Sequence, residues 1–167
     1  MAEQKTCCFS GHREQKLPWH SNESDPRCVR LKQMLYDAAE AVYADGVRHY
    51  IIGMASGCDL YFLEAVLLLR EKHPELTIEA AIPYEGQADR WRESLRNRYA
   101  LLLRQCDYQT LVQQDYSSDC MMRRNRYMVD RSSLLLACST GKPGGTMNTL
   151  LYAMQQGVKF LQIDIED

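Results

Sequence analysis

The chain has 167 residues, 46% apolar and 25% charged, with a net charge of −2 at pH 7. That length suits a sizeable core, and residues 1–167 read as a single domain. The balance excludes a strong bulk attraction to nucleic acid or anionic membrane, and no apolar run approaches the ~20 residues of a membrane span.

The opening MAEQKTCCFSG has no signal-peptide core, so a cytoplasmic protein is expected. The seven cysteines form no CxxC pair, and His12, His20, His49 and His73 show no ligand spacing to them. We therefore expect no zinc, and cysteines that act as small buried hydrophobes in a reducing compartment.

Thr6 to Ser10 reads as a first strand ending in Gly11-His12-Arg13. Residues 14–27 are polar with two prolines, an excursion over the surface from which Trp19 can fold back. Leu31, Met34, Leu35, Ala38 and Val42 recur at helical spacing between Cys28 and Ala44, and Gly46 ends that helix. His49 to Met54 is the second strand, Ala55 to Asp59 a turn, and Asp59 is placed to cap a helix that Pro74 stops. Leu76 to Ile82 is the third strand and leads into Pro83-Tyr84-Glu85-Gly86-Gln87. Trp91, Leu95, Tyr99, Leu102 and Leu103 then mark a helix. Tyr108 to Val112 is the fourth strand, Gln113 to Asp119 a polar loop, and Cys120 to Asp130 a helix with three arginines, one of which can face a pocket. Leu134 to Cys138 is the fifth strand and Val158 to Ile165 the last.

Between those last two strands lies GKPGGTMNT, a strand–turn–helix junction. Gly141, Gly144 and Gly145 let backbone N–H groups approach a ligand, and Thr146 can cap the helix. A helix N-terminus of this kind favours an anion, most often phosphate. Strand and helix alternate throughout. The predicted fold is therefore α/β: a Rossmann-like three-layer sandwich with a mostly parallel sheet of about six strands and helices on both faces. Right-handed crossovers bring the loops SGHR, MASGCD, PYEGQ, QQDYSSD and STGKPGGT to one sheet edge, where such sheets bind ligands.

Several familiar motifs fail. Gly141-Lys142 resembles the end of a P-loop, but Leu136 stands at the upstream glycine and Pro143 at the Ser/Thr. No G-x-G-x-x-G follows the first strand. Gly53 to Gly57 misses the nucleophile-elbow spacing, which leaves Ser56 a ligand donor or a turn residue. His12 and Arg13 are two potential cations at the loop edge, and Arg13 can grip a carboxylate or phosphate through two parallel bonds. Tyr84, Trp91 and Tyr116 can stack on a base, with Trp91 the more core-like.

Five ordered segments, TCCFSGHR, GMASGCDLYFLEAVL, AAIPYEGQADRW, CMMRRNRYMVDRS and GGTMNTLLYA, resemble the YpsA/YoqJ-like branch of the SLOG superfamily over nearly the whole chain. The resemblance implies a Rossmann-like fold and a nucleotide or nucleotide-derived ligand. The superfamily includes the lonely-guy phosphoribohydrolases and the single-stranded-DNA-binding DNA-processing protein A family. The hydrolases carry M-x-x-R-K-x-x-M, then P-G-G-x-G-T-x-x-E. Here Met121, Arg124, Asn125 and Met128 align with the first motif, Asn125 replacing Lys. Gly145-Thr146 align with G-T, and Thr149 stands at the catalytic Glu. Hydrolysis would need another acid, such as Glu85, Asp115 or Asp119.

Together these readings propose Gly11, His12, Arg13, Ser56, Gly57, Asp59, Tyr84, Arg124, Asn125, Gly144, Gly145 and Thr146 as ligand-binding residues, with no catalytic or metal-binding set. No cofactor is required; the expected ligand is a nucleotide, ADP-ribose or a dinucleotide. The expected role is ligand binding, sensory or regulatory, without phosphoribohydrolase activity. A nucleotide hydrolase and a single-stranded nucleic-acid binder are the alternatives. The net charge argues against nucleic acid as partner, and a homo-oligomer stays open.

Overall fold

The central strands alternate their buried side chains, and the two faces of the sheet form two separate cores. In the computed structural model, which describes residues 4–167, β1 (Lys5–Gly11) sends Cys7 and Phe9 to one core and Cys8 to the other. β2 (Val47–Ile52) does the same with Tyr50 and Ile52 against Ile51, and β5 (Leu134–Ser139) with Leu136 and Cys138 against Leu135 and Ala137. This period of two, apolar on both sides, belongs to a central strand covered on both faces.

The helices are α1 (Pro26–Ala44), α2 (Cys58–Lys72), α3 (Glu93–Arg104), α4 (Cys120–Asp130) and α5 (Gly145–Gln155). With β3 (Thr77–Ile82), β4 (Tyr108–Leu111) and β6 (Lys159–Asp164), the strands form one six-stranded sheet in the order β4-β3-β2-β1-β5-β6. Every pairing is parallel. α1, α2 and α3 bury their apolar faces in the larger core, with Leu35, Phe62 and Leu95 among its members. α4 and α5 cover the other face through Met128, Val129, Leu150 and Ala153. The order of the sheet turns back at β1, so successive right-handed crossovers must change face there.

The predicted elements hold with shifted ends. α1 starts two residues before Cys28, because Asp25 accepts from the Arg27 N–H at 2.9 Å and Pro26 opens the helix. α3 starts at Glu93, which leaves Trp91 in the preceding turn. β2 stops at Ile52, and Met54 beyond it takes a left-handed backbone with φ of 63° while wholly buried, a strained conformation that packing must hold. The surface excursion is anchored: Leu17 and Trp19 enter the core, Arg92 clamps Glu14 at 2.5 and 3.1 Å, and Glu23 takes Arg98 and Lys32. Among the described residues no helix is long and apolar enough to cross a membrane.

Candidate functional site

β1 and β5 are neighbours, yet the chain leaves them toward opposite faces of the sheet. The loops that follow them therefore splay apart at their carboxyl ends and open a crevice. The loop after β1 is fastened on both flanks: the His12 N–H donates to the Cys138 carbonyl at 3.2 Å, and the His12 carbonyl accepts from the Cys58 N–H at 3.1 Å. Gly57 seats this loop. Its φ is 81°, and a Cβ there would lie 2.7 Å from the Glu14 nitrogen and 2.8 Å from the His12 oxygen. Glycine is required at that position for packing. Ser56 accepts from the Glu14 N–H at 3.4 Å.

α5 begins without a side-chain cap. Gly144 is its N-cap residue, and Thr146, placed by sequence as the cap, is instead the second helical residue and buried. The early N–H groups of α5 lack intrahelical acceptors and carry the positive end of the helix dipole. The expected Asp59 cap is also corrected. Gly57 is the N-cap residue of α2, and Asp59 Oδ2 reaches back to accept from the Ala55 N–H at 3.0 Å.

Arg124 is the one arginine of α4 that turns inward; Arg123 pairs with Asp119 at the surface and Arg126 lies over Tyr152. The residue is 5% exposed, and its guanidinium donates through Nε to Asn125 Oδ1 at 2.8 Å and through Nη1 to the Gly53 carbonyl. Among the described residues Nη2 finds only the Met121 sulfur, at 3.8 Å, a weak acceptor. Gly53 makes this fit: a Cβ there would come within 2.6 Å of Nη1. Behind the guanidinium, Asn125 Nδ2 donates to Thr149 Oγ1 at 2.8 Å, and Thr149 donates to the Gly145 carbonyl at 2.8 Å. Asn125 and Thr149 thus tie Arg124 to the first turn of α5.

Two groups have charge states that the sequence did not reveal. His12 is buried, and its Nε2 accepts from the Thr140 N–H at 3.2 Å. Burial, then Lys16 and Lys142, lower its pKa. The ring is therefore a neutral acceptor, and of the two potential cations, His12 and Arg13, only Arg13 carries a charge. Asp59 is 4% exposed. Burial pushes its carboxyl up to about 6, opposed by Arg124, the Ala55 N–H and Arg13, so it is largely ionised at neutral pH.

Arg13, Lys16, Asp59, Arg124, Gly145 and Thr146 line a cavity of about 70 Å³, completed in part by Gly11, His12 and Asn125. Arg13, Ala55 and Met121 also border an adjoining cavity of about 320 Å³, whose walls include Ser56, Tyr84, Gln87 and Trp91. The ring of Tyr84 meets Tyr116 edge-on with centroids 5.4 Å apart. Of the expected set, Gly57 and Gly144 line neither cavity. Lys16, Met121 and Gln87 were not expected. Lys16 comes from a 3-10 turn, Glu14–Lys16, that brings its ammonium against Gly144. Of the three acids suggested as substitutes, Glu85 holds Gln114 and Asp119 holds Arg123, and neither these two nor Asp115 lines either cavity.

The model of the YspA SLOG family, YpsA, matches residues 7–165. A UPF0398 protein of Bacillus velezensis is 26% identical over 144 residues, covering 85% of this chain and 78% of its own. The uncharacterized SPbeta prophage-derived protein YoqJ of Bacillus subtilis is 28% identical over 142 residues, covering 77% and 83%. Among solved structures, DNA processing protein A of Streptococcus pneumoniae superposes with a TM-score of 0.60 at 14% identity, over 95% of this chain and 50% of that one. DNA processing protein A of Helicobacter pylori, described by its single-stranded DNA binding mode, gives 0.61 at 14% identity, over 95% and 64%. At that identity the likeness is one of fold. With its all-parallel sheet and a family match that spans nearly all of it, the chain belongs to the YpsA family of SLOG proteins.

Proposed function

We propose that this chain is a cytosolic binding domain for a nucleotide or nucleotide-derived ligand, held by its phosphate and serving a sensory or regulatory role. The observation that carries the reading is the meeting of an uncapped helix N-terminus, at Gly145 and Thr146, with Arg13, Lys16 and Arg124 around one cavity. Backbone donors and three cations lining one cavity favour a multiply charged anion. The adjoining cavity, with Tyr84 and Trp91 in its wall, has the size and aromatic character for the rest of a nucleotide, including ADP-ribose or a dinucleotide. Thr149 argues against a phosphoribohydrolase: it is fully buried and spends its hydroxyl on Gly145 and Asn125, where general acid–base catalysis needs a proton-transferring group at the substrate.

Calorimetric titration with AMP and ADP-ribose tests the reading. Arg13 is exposed and forms no ion pair among the described residues, so Arg13→Ala should spare the fold. A charge-assisted bond is typically worth ~1.5–3 kcal/mol, and affinity should fall about tenfold or more. Absence of binding at millimolar ligand would overturn the proposal. The fold likeness to a protein with a single-stranded DNA binding mode supports a second reading. Oligonucleotide affinity that drops steeply with added salt would favour it.

A further inference from the structure

The proposed phosphate site contains a group that phosphate alone cannot use. Asp59 lines the same cavity as Arg13, Lys16 and Arg124 and is 4% exposed. Its Oδ2 accepts from the Ala55 N–H at 3.0 Å. Its Oδ1 has no donor among the described residues, and neither Arg13 nor Arg124 comes within ion-pair distance of it. A carboxylate is acceptor-only and repels a phosphate oxygen. That oxygen is open to the cavity, and a ligand that covers it without donating to it leaves an acceptor unmet, which is costly. A ligand suited to this cavity therefore brings an anion to the cations and a hydrogen-bond donor to Asp59.

Tyr84 and Trp91, the rings placed to stack on a base, line the adjoining cavity and not this one. The donor is then a small group near the phosphate in the ligand's own covalent structure. A sugar hydroxyl meets that description, and the open oxygen on Asp59 can accept from it.

We propose that Asp59 reads a ribose hydroxyl of the phosphorylated ligand, so that the site selects ribosyl phosphates over their deoxy counterparts and over free phosphate. This rests on the phosphate reading given above. It makes Asp59 a specificity-determining residue whose charge weakens binding of the anion by itself and strengthens binding of the anion with its sugar.

The test is calorimetric titration of the full chain with AMP, 2′-deoxy-AMP, 3′-deoxy-AMP and inorganic phosphate, for the parent protein and for Asp59→Asn and Asp59→Ala. Asp59→Asn can still accept from Ala55, which preserves the local fold; thermal unfolding checks both variants. In the parent protein, at least one deoxy nucleotide should bind tenfold or more weakly than AMP. In Asp59→Asn that penalty should shrink to twofold or less, while affinity for inorganic phosphate should rise. A residue with only a structural role would weaken all four probes together. Equal affinity of the parent for all three nucleotides overturns the role of Asp59 and leaves the phosphate site standing. Failure of every nucleotide and of phosphate to bind overturns both.

Discussion

Asp59 and Glu79 are both carboxylates sunk beside the same sheet, and their surroundings push them in opposite directions. Glu79, on β3, is enclosed by donors: His49 Nε2 at 2.9 Å, Tyr127 at 2.6 Å and Thr110 at 3.0 Å. The His49 bond leads in lowering its pKa to about 2 against the cost of burial, with Tyr127 and Thr110 adding to it. Asp59 has one backbone donor, and burial wins, raising it to about 6. A buried carboxylate supplied with donors by its own chain is part of the framework. One left short of donors, in a cleft, has the mark of a binding site.

That contrast can be broken most forcefully at Glu79. Its side chain is 13% exposed, and Glu79→Gln should destabilise the fold by about 2–3 kcal/mol at pH 7, since one pKa unit corresponds to ~1.4 kcal/mol. The folded pKa lies below the ordinary 4.5, so this contribution is present above pH 4.5 and is lost as pH falls toward 2. Urea unfolding should show the gap between parent and variant narrowing over that window. A gap that does not change with pH would mean that Glu79 is not held ionised by its donors.

Asp59→Asn should act with the opposite sign and a smaller size. The folded pKa of about 6 lies above the ordinary 3.8, so the folded state is favoured by protonation. That advantage is complete below pH 3.8 and lost as pH rises through 6. The variant should therefore be more stable than the parent by about 2 kcal/mol at pH 7.5, with the difference gone below about pH 4. A destabilised variant at pH 7.5 would contradict the reading of Asp59 as a buried carboxylate short of donors.

The smallest effect is expected where the site itself is well supplied. Thr149 is fully buried between Asn125 and Gly145, and Thr149→Val should cost about 1 kcal/mol, the usual net worth of a hydrogen bond. It should also weaken AMP binding, because Asn125 would no longer be fixed behind Arg124. Loss of stability with unchanged affinity would separate the framework from the site.

Much of the fold was legible in the residues. Short continuous apolar runs at Cys7 to Phe9 and Leu134 to Cys138, helical spacing from Leu31 to Val42, and glycine or proline between them are local signals. They act over a few residues, so they survive in a one-dimensional string. The resemblance added Arg124 and Asn125, which spacing alone could not separate from Arg123 and Arg126. Helix starts were read less well: Thr146 and Asp59 are capping residue types, yet Gly144 and Gly57 take the cap positions.

By itself, then, the sequence determined the elements, their order and the side of the sheet where the loops gather, because periodicity and chain handedness are local properties. Only the tertiary structure decided that β5 lies beside β1, since the same alternation of strand and helix is compatible with other strand orders. That one adjacency puts the Arg13 loop next to the start of α5. It also lets the Thr140 N–H make His12 a neutral acceptor, and burial leaves Asp59 facing the cavity with an oxygen to spare. Charge state and unmet hydrogen-bonding capacity depend on neighbours distant in the chain, and those neighbours exist only once the sheet is assembled.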